Sequence, residues 1–235
     1  KNATGLVRCL MELGGNDPLI VMPDADLDAA AETAVAQRFE IAGQSCAAVK
    51  KLFVHDAVRA PFTERLLALT AALPFGDPSH EDIAMGPVVD TAAAAEVMAR
   101  ISEALAGGAQ CLAGGKRDGA LVAPTVLADM AADCRLLQHE TFGPVIALRG
   151  FTDVGACIDE VNASPYGLQA GVFTNNHTVI RQLARDLQVG GLMVNEGPDF
   201  RAEHVPFGGV RTSGLGREGV RIALREMSET HVVID

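Results

Sequence analysis

Few residues in this chain combine a reactive side chain with a setting that would expose it, and Cys46 is the first of them. It lies in Ile41-Ala42-Gly43-Gln44-Ser45-Cys46-Ala47, between an Ala-rich helical pattern and the apolar run Lys51-Leu-Phe-Val-His55. Junctions of this kind expose side chains, and a cysteine thiolate placed there is a nucleophile. If Ser45 capped a helical turn beginning at Cys46, unpaired N–H groups and the positive dipole end would favour the thiolate. The alternative is a small buried hydrophobe, a common fate of free cysteine. Glu12, in Met11-Glu12-Leu13-Gly14-Gly15-Asn16, occupies a second glycine-punctuated turn beside an apolar run. A carboxylate there can serve as general base toward a thiol or a water within hydrogen-bond reach. Otherwise it pairs with a neighbouring cation in a structural network. The remaining cysteines, at 9, 111, 134 and 157, show neither CxxC nor Cys/His spacing, so neither a disulfide framework nor a metal site is expected. Cys46 is accordingly the thiol expected to alkylate fastest.

These turns need a frame. Residues 6–13 and 18–22 read as short buried strands around the turn at 14–17, and Asp24 or Asp26 caps the helix that follows. That helix carries Leu27, Ala31, Ala34, Val35 and Phe39 on one stripe and ends near Gly43. Further strands at 51–55, 110–113, 120–127, 144–148, 169–174 and 191–195 are interleaved with helices at 57–72, 90–106, 153–162 and 177–187. Apolar strands between amphipathic helices predict an α/β fold, a three-layer, mostly parallel sheet with helices on both faces. Ligands of such sheets bind where turns cluster at strand ends. Glycine-rich turns beyond Gly197 lead to a short helix and a terminal strand at 231–234 that has no evident partner. An unpaired apolar edge needs cover, so residues 213–235 read as a C-terminal arm on a main domain of residues 1–212.

Composition limits the partners. With 235 residues, 49% of them hydrophobic, the chain can bury a real core. A net charge of −11 without a basic stripe argues against nucleic acid and against an anionic membrane surface. No apolar run approaches the roughly 20 residues that span a bilayer, and no signal segment opens the chain, so a soluble cytoplasmic protein is expected. The first residue is Lys1 rather than Met, and the sequence reads as part of a longer polypeptide.

Four segments carry a resemblance. In order they are Met11-Glu12-Leu13-Gly14-Gly15-Asn16, Gly43-Gln44-Ser45-Cys46, Glu140-Thr141-Phe142-Gly143-Pro144 and Pro206-Phe207-Gly208-Gly209. Together they resemble the aldehyde dehydrogenase superfamily, and the 34 residues from Glu12 to Cys46 (46 − 12) match its spacing of base and nucleophile. The match covers essentially the whole chain but only the second, catalytic half of a family member. The preceding Rossmann-like cofactor domain and the oligomerisation hairpin are not in this sequence.

The resemblance implies that Cys46 adds to an aldehyde carbonyl, that hydride leaves the thiohemiacetal for NAD or NADP, and that Glu12 activates the water that hydrolyses the thioester. It implies an oxyanion donor at the Cys46 backbone N–H, with a second donor, an asparagine side chain, outside this half. Glu140 would accept hydrogen bonds from the nicotinamide ribose. Phe142 would pack beside the nicotinamide, unless it is simply a core aromatic. Glu12 separates the chain from CoA-acylating relatives, which generally lack that glutamate. Arg201, in the loop from Asn195 to His204, resembles the arginine of lactaldehyde-, semialdehyde- and phosphonoacetaldehyde-oxidising members, where a guanidinium can hold a polar or anionic tail. A structural ion pair is the alternative for it. Phosphonate-specific members carry arginine just before the nucleophile; Ser45 stands there, which favours a small polar or carboxylate-bearing aldehyde. The arm implies pairing between subunits, hence a homo-oligomer. A competing reading is a truncated structural, thiol-reactive or ligand-binding module without dehydrogenase activity.

Overall fold

The computed structural model describes residues 5–235. In chain order the elements are β1 (Met11–Glu12), β2 (Pro18–Val21), α1 (Leu27–Phe39), β3 (Lys51–His55), α2 (Asp56–Ala72), α3 (Thr91–Ala106), β4 (Gln110–Ala113), β5 (Arg117–Asp118) and β6 (Leu121–Val122). There follow β7 (Thr125–Ala128), α4 (Arg135–Gln138), β8 (Val145–Phe151), α5 (Val154–Ala163), β9 (Gln169–Phe173), α6 (His177–Asp186), β10 (Gly191–Val194), β11 (Gly214–Leu215) and α7 (Val220–Glu226). Seven strands form one sheet in the order β10-β9-β2-β3-β8-β7-β4. All neighbours pair in parallel except β4, which runs antiparallel to β7 at one edge.

Alternation along the central strands explains why both faces are covered. Leu19, Val21, Leu52 and Val54 enter one core with Ala30, Ala34, Phe39, Phe62, Leu66 and Ile101 from the helices on that side. Ile20, Met22 and Phe53 point the other way, against Cys157, Ile158, Val161 and Leu183 of α5 and α6. A strand buried on both sides must be apolar at every position, and β2 is Pro-Leu-Ile-Val throughout. This is the expected mostly parallel α/β sheet with helices on both faces.

Local chemistry sets the helix ends. Asp26, not Asp24, caps α1, its carboxylate accepting from the N–H groups of Asp28 and Ala29. Asp24 instead accepts from Thr174 and Asn175, tying the loop after β2 to the end of β9. Asp90 caps α3 through Ala93 N–H, and Gly107 closes it.

The structure corrects several expectations. Residues 6–13 are not a buried strand: only Met11–Glu12 pairs, with Gly214–Leu215 outside the main sheet, and Leu6, Val7 and Leu10 are exposed. An apolar run forms a strand only where a partner edge offers hydrogen bonds, and this edge offers two residues. The expected strand at 120–127 is split in two, because Ala123-Pro124 interrupts it and proline has no N–H for the ladder. The terminal segment 231–234 is exposed and forms no strand, for want of a partner edge. No helix among the described residues is long and apolar enough to cross a membrane.

Candidate active site

The segments that precede β2, β3, β8 and β9 meet at one edge of the parallel sheet. They carry Glu12 to Asp17, Gln44 to Lys50, Glu140 to Pro144, and Leu168. This is the amino-terminal edge of the strands, opposite to the carboxyl edge where ligands of open α/β sheets commonly bind. The difference matters for charge. At this edge α1, the helix that leads into the Cys46 segment, arrives with its carboxyl, negative end, so it offers no positive dipole to Cys46.

Nor does Ser45 start a helix. Cys46 and Ala47 form a turn closed by the Ala48 N–H to the Ser45 carbonyl at 3.4 Å, and the Ser45 hydroxyl donates to Asp199 at 3.0 Å. The helix-cap account of thiolate formation is therefore wrong. Burial pushes the half-buried Cys46 thiol up; Lys50 opposes this, while Asp17, Asp199 and Glu140 add to it. Cys9 and Cys111 are exposed, so accessibility alone does not single out Cys46 among the thiols.

The approach to Cys46 is strained. Ile41 and Ala42 take left-handed φ values of 49° and 55°, unusual for residues with a Cβ and most of all for a β-branched one. Gly43 follows at 71°, where a Cβ would stand 2.5 Å from the Gly143 carbonyl oxygen. Arg38, fully buried near the end of α1, donates to the carbonyls of Thr141 and Gly143 and so joins the Cys46 segment to the Glu140 loop. Burial pulls its guanidinium down to about 9, with Glu140 opposing.

Gly14 and Gly15 allow the third segment to cross the other two. A Cβ on Gly14 would overlap the Glu140 carboxylate, and one on Gly15 would lie 2.7 Å from both the Cys46 carbonyl oxygen and Asp17 Oδ1. Gly15 N–H donates to Glu140 Oε1 at 3.0 Å, and Lys50 Nζ stands 3.4 Å from the same oxygen. Cys46 and Glu140 are thus brought together.

Glu12 lies to one side, in a cleft of about 830 Å³ lined by Arg201, Phe207, Arg217, Glu218 and Val220 among others. Its Oε2 is buried and has no hydrogen-bond partner among the described residues. Burial pushes its carboxyl up, Glu218 adds to this, and Arg217 and Arg201 oppose it. Among the described residues no hydrogen bond joins Glu12 to Cys46. What they share is Phe207, which lines the Glu12 cleft and packs with Ala47 and Leu168 where Cys46 meets them. Arg201 stacks 4.3 Å from the Phe207 ring centroid and pairs with Glu218 at 2.5 Å. Phe142 is 47% exposed, so it is not a core aromatic in this chain.

The family model for the aldehyde dehydrogenase family matches residues 1–233. The chain belongs to that family. It is 45% identical over 232 residues to the sulfoacetaldehyde dehydrogenase of Neptuniibacter caesariensis, covering 99% of this chain and 51% of that protein. It is 38% identical to the 3-sulfolactaldehyde dehydrogenase of Priestia megaterium, covering all of this chain and 49% of that one. Among solved structures, the glyceraldehyde-3-phosphate dehydrogenase of Methanocaldococcus jannaschii complexed with NADP superposes with a TM-score of 0.91 at 38% identity. That superposition covers 94% of this chain and 48% of the other. The chain spans about half the length of the curated relatives it matches.

The residues gathered here would fit the nicotinamide end of a cofactor such as the NADP of that neighbour only in part. Glu140 has Oε1 fixed by Gly15 and Lys50, while Oε2 accepts no hydrogen bond among the described residues and can accept from a sugar diol. The bare Gly14 beside that oxygen keeps it accessible.

Several site residues went unread in the sequence. Asp17, Lys50 and Asp199 act on Cys46, and Glu218 acts on Glu12. Lys50 is 2% exposed, although a lysine at a strand's entry reads as surface. Glu218 had one available signal, its place in the glycine-rich segment that pairs with Phe207.

Proposed function

We propose that this chain is the nucleophile-bearing half of an NAD(P)-dependent aldehyde dehydrogenase that oxidises a small polar aldehyde to its carboxylic acid. The observation that carries the reading is the packing of Cys46, Glu140 and the Gly14-Gly15 crossing at one sheet edge, with Glu12 in the adjoining cleft.

Cys46 is the nucleophile. Its thiol first gives its proton to solvent; the thiolate Sγ then adds to the aldehyde carbon, and the carbonyl oxygen becomes an oxyanion held by the Cys46 backbone N–H, which makes no other hydrogen bond among the described residues. A nicotinamide, when bound, supplies the hydride acceptor that turns the thiohemiacetal into a thioester. Glu140 would orient the ribose and Phe142 would pack beside the ring. Glu12 then takes a proton from the water that attacks the thioester, releasing acid and regenerating the thiol. Its burial supports this role, because a carboxyl pushed up is a stronger base than an exposed one. With no hydrogen bond to the thiol, Glu12 acts on water rather than on Cys46.

The relatives are named for sulfoacetaldehyde, 3-sulfolactaldehyde and lactaldehyde, all short and polar, which supports a small polar substrate. Arg201 is the residue we assign to its tail, although Glu218 already occupies one side of the guanidinium. Residues 213–235 act as an arm that pairs between subunits, consistent with the exposure of Val232, Val233 and Ile234.

The test is cofactor reduction by a complete family chain carrying these 235 residues, offered sulfoacetaldehyde, lactaldehyde and short neutral aldehydes. Turnover lost in Cys46→Ala is the expected result. Undiminished turnover in that variant would overturn the assignment.

A further inference from the structure

Beneath Cys46 lies a buried cation that the four family-like segments do not include. Lys50 Nζ donates to the Ser45 carbonyl at 3.0 Å and the Cys46 carbonyl at 2.7 Å, and pairs with Glu140 Oε1 at 3.4 Å. Three acceptors match the three N–H donors of an ammonium. The residue is anchored from both sides: its N–H donates to the Asp17 carbonyl at 3.0 Å and its own carbonyl accepts from Ala147 at 3.1 Å. With the backbone fixed in the sheet, the side chain folds back four residues onto the nucleophile turn.

A trans peptide sets its N–H opposite to its carbonyl, and no peptide among the described residues is cis. A cation that draws the Ser45 carbonyl toward the sheet therefore turns the Cys46 N–H away from it, toward the open side of the turn. It also polarises that N–H, since hydrogen bonds to charged groups are the stronger ones. The helix that leads into this turn supplies no positive potential, as α1 presents its negative end.

We propose that Lys50 is a positioning residue: its ammonium clamps the Ser45 and Cys46 carbonyls, so aiming the Cys46 N–H as oxyanion donor, supplying the positive potential at Sγ, and holding Glu140 in register. The proposal rests on the reading of Cys46 as nucleophile. The charged groups around it are known. Asp17, from the segment before β2, is fully buried, and burial pushes it up to about 7 while Lys50 and Lys51 oppose. Burial pulls Lys50 itself down; Asp17 and Glu140 hold it up, and Arg38 on α1 adds to the lowering. Asp199 reaches Cys46 from the loop after β10.

The Lys50 and Asp17 charges act on the thiol in opposite senses, and this separates an electrostatic role from a merely structural one. The measurement is the pH dependence of Cys46 alkylation by iodoacetamide in the 235-residue chain, read by peptide mass spectrometry with exposed Cys111 as internal reference. Lys50→Met should move the Cys46 midpoint upward by about one unit, slowing alkylation roughly tenfold below it. Lys50→Arg should retain most of the wild-type profile. Asp17→Asn should move the midpoint down, and it decides the matter alone if circular dichroism shows Lys50→Met unfolded. Midpoints that stay put, or that move the same way in Lys50→Met and Asp17→Asn, would overturn the proposal while leaving the nucleophile intact. A wild-type Cys46 that resists alkylation at every pH where the chain is folded would instead defeat the nucleophile reading itself.

Discussion

Glu12 and Glu140 are carboxylates a short way apart in the same fold, yet their oxygens are committed differently. Glu140 Oε1 is tied by a backbone N–H and Lys50, as suits a group that orients a ligand. Glu12 Oε2 is buried and has no partner among the described residues, as would suit the proton exchange proposed for it. In a complete family chain, Glu12→Gln should leave the first-turnover burst of reduced cofactor and depress the steady state by about 10² to 10⁴, the usual worth of a general base. Equal loss of the burst would place Glu12 before hydride transfer. The sign of the pH effect follows from the upward push on its carboxyl. The base form is present above the raised value, so hydrolysis should fail as pH drops through a value above the ordinary carboxylate range. Wild-type activity held constant through that range would contradict it. Cys46 yields a separate expectation, since its thiol is pushed up and half-buried while Cys9 and Cys111 are exposed. Brief alkylation near neutral pH should label Cys9 and Cys111 before Cys46. Prior labelling of Cys46 would mean that Lys50 outweighs burial and the three carboxylates.

At the scale of elements, the turns are as constrained as the strands. Gly14→Ala would drive a methyl into the Glu140 carboxylate, and Gly43→Ala adds a Cβ at φ 71° against the Gly143 backbone. Each should lower stability by about 1–3 kcal/mol in urea unfolding, as overpacking does. Gly108→Ala, with φ 97° but nothing within 4 Å, isolates the backbone share of that cost and should lose less. Equal losses at all three would show that contact with the Glu140 loop contributes little. The same turns show what the sequence made legible. Strand β3 and the two-faced sheet were readable because apolar runs between amphipathic helices have few ways to hide. The turns at Gly14-Gly15 and Gly43 were readable because glycine marks backbone that a Cβ would obstruct. Which edge of the sheet they occupy was not, because strand direction emerges only from parallel pairing across the whole sheet. The left-handed Ile41 and Ala42 were invisible as well, since neither residue type announces that conformation. Lys50 was hidden for a different reason: the acceptors that make its burial tolerable come from Ser45, Cys46 and the distant Glu140.

Across the whole molecule, the core and the chemistry are distributed unequally. Two apolar layers enclose the central strands from within this chain alone, so the 235 residues should fold by themselves. A band of exposed apolar residues, including Val205, Leu215, Val220, Leu224 and Met227, lies about the Glu12 cleft and should promote association in solution. Ligand binding is another matter. In the function proposed above Glu140 and Phe142 contact a ribose and a nicotinamide, whereas a dinucleotide also carries a pyrophosphate and an adenosine, and the net charge of −11 repels the former. The relatives run to about twice this length, and we assign most of the cofactor affinity to the half that this chain does not match. The isolated chain should therefore give a cooperative unfolding transition but only very weak heats on titration with NAD+ or NADP+. It should also show no measurable oxidation of short aldehydes. Displacing a reacting group by about 1 Å can cost on the order of a hundredfold, and here the hydride acceptor would be held at one end only. Micromolar binding, or steady turnover by these 235 residues, would place a complete cofactor site within this half and refute the division of labour argued here.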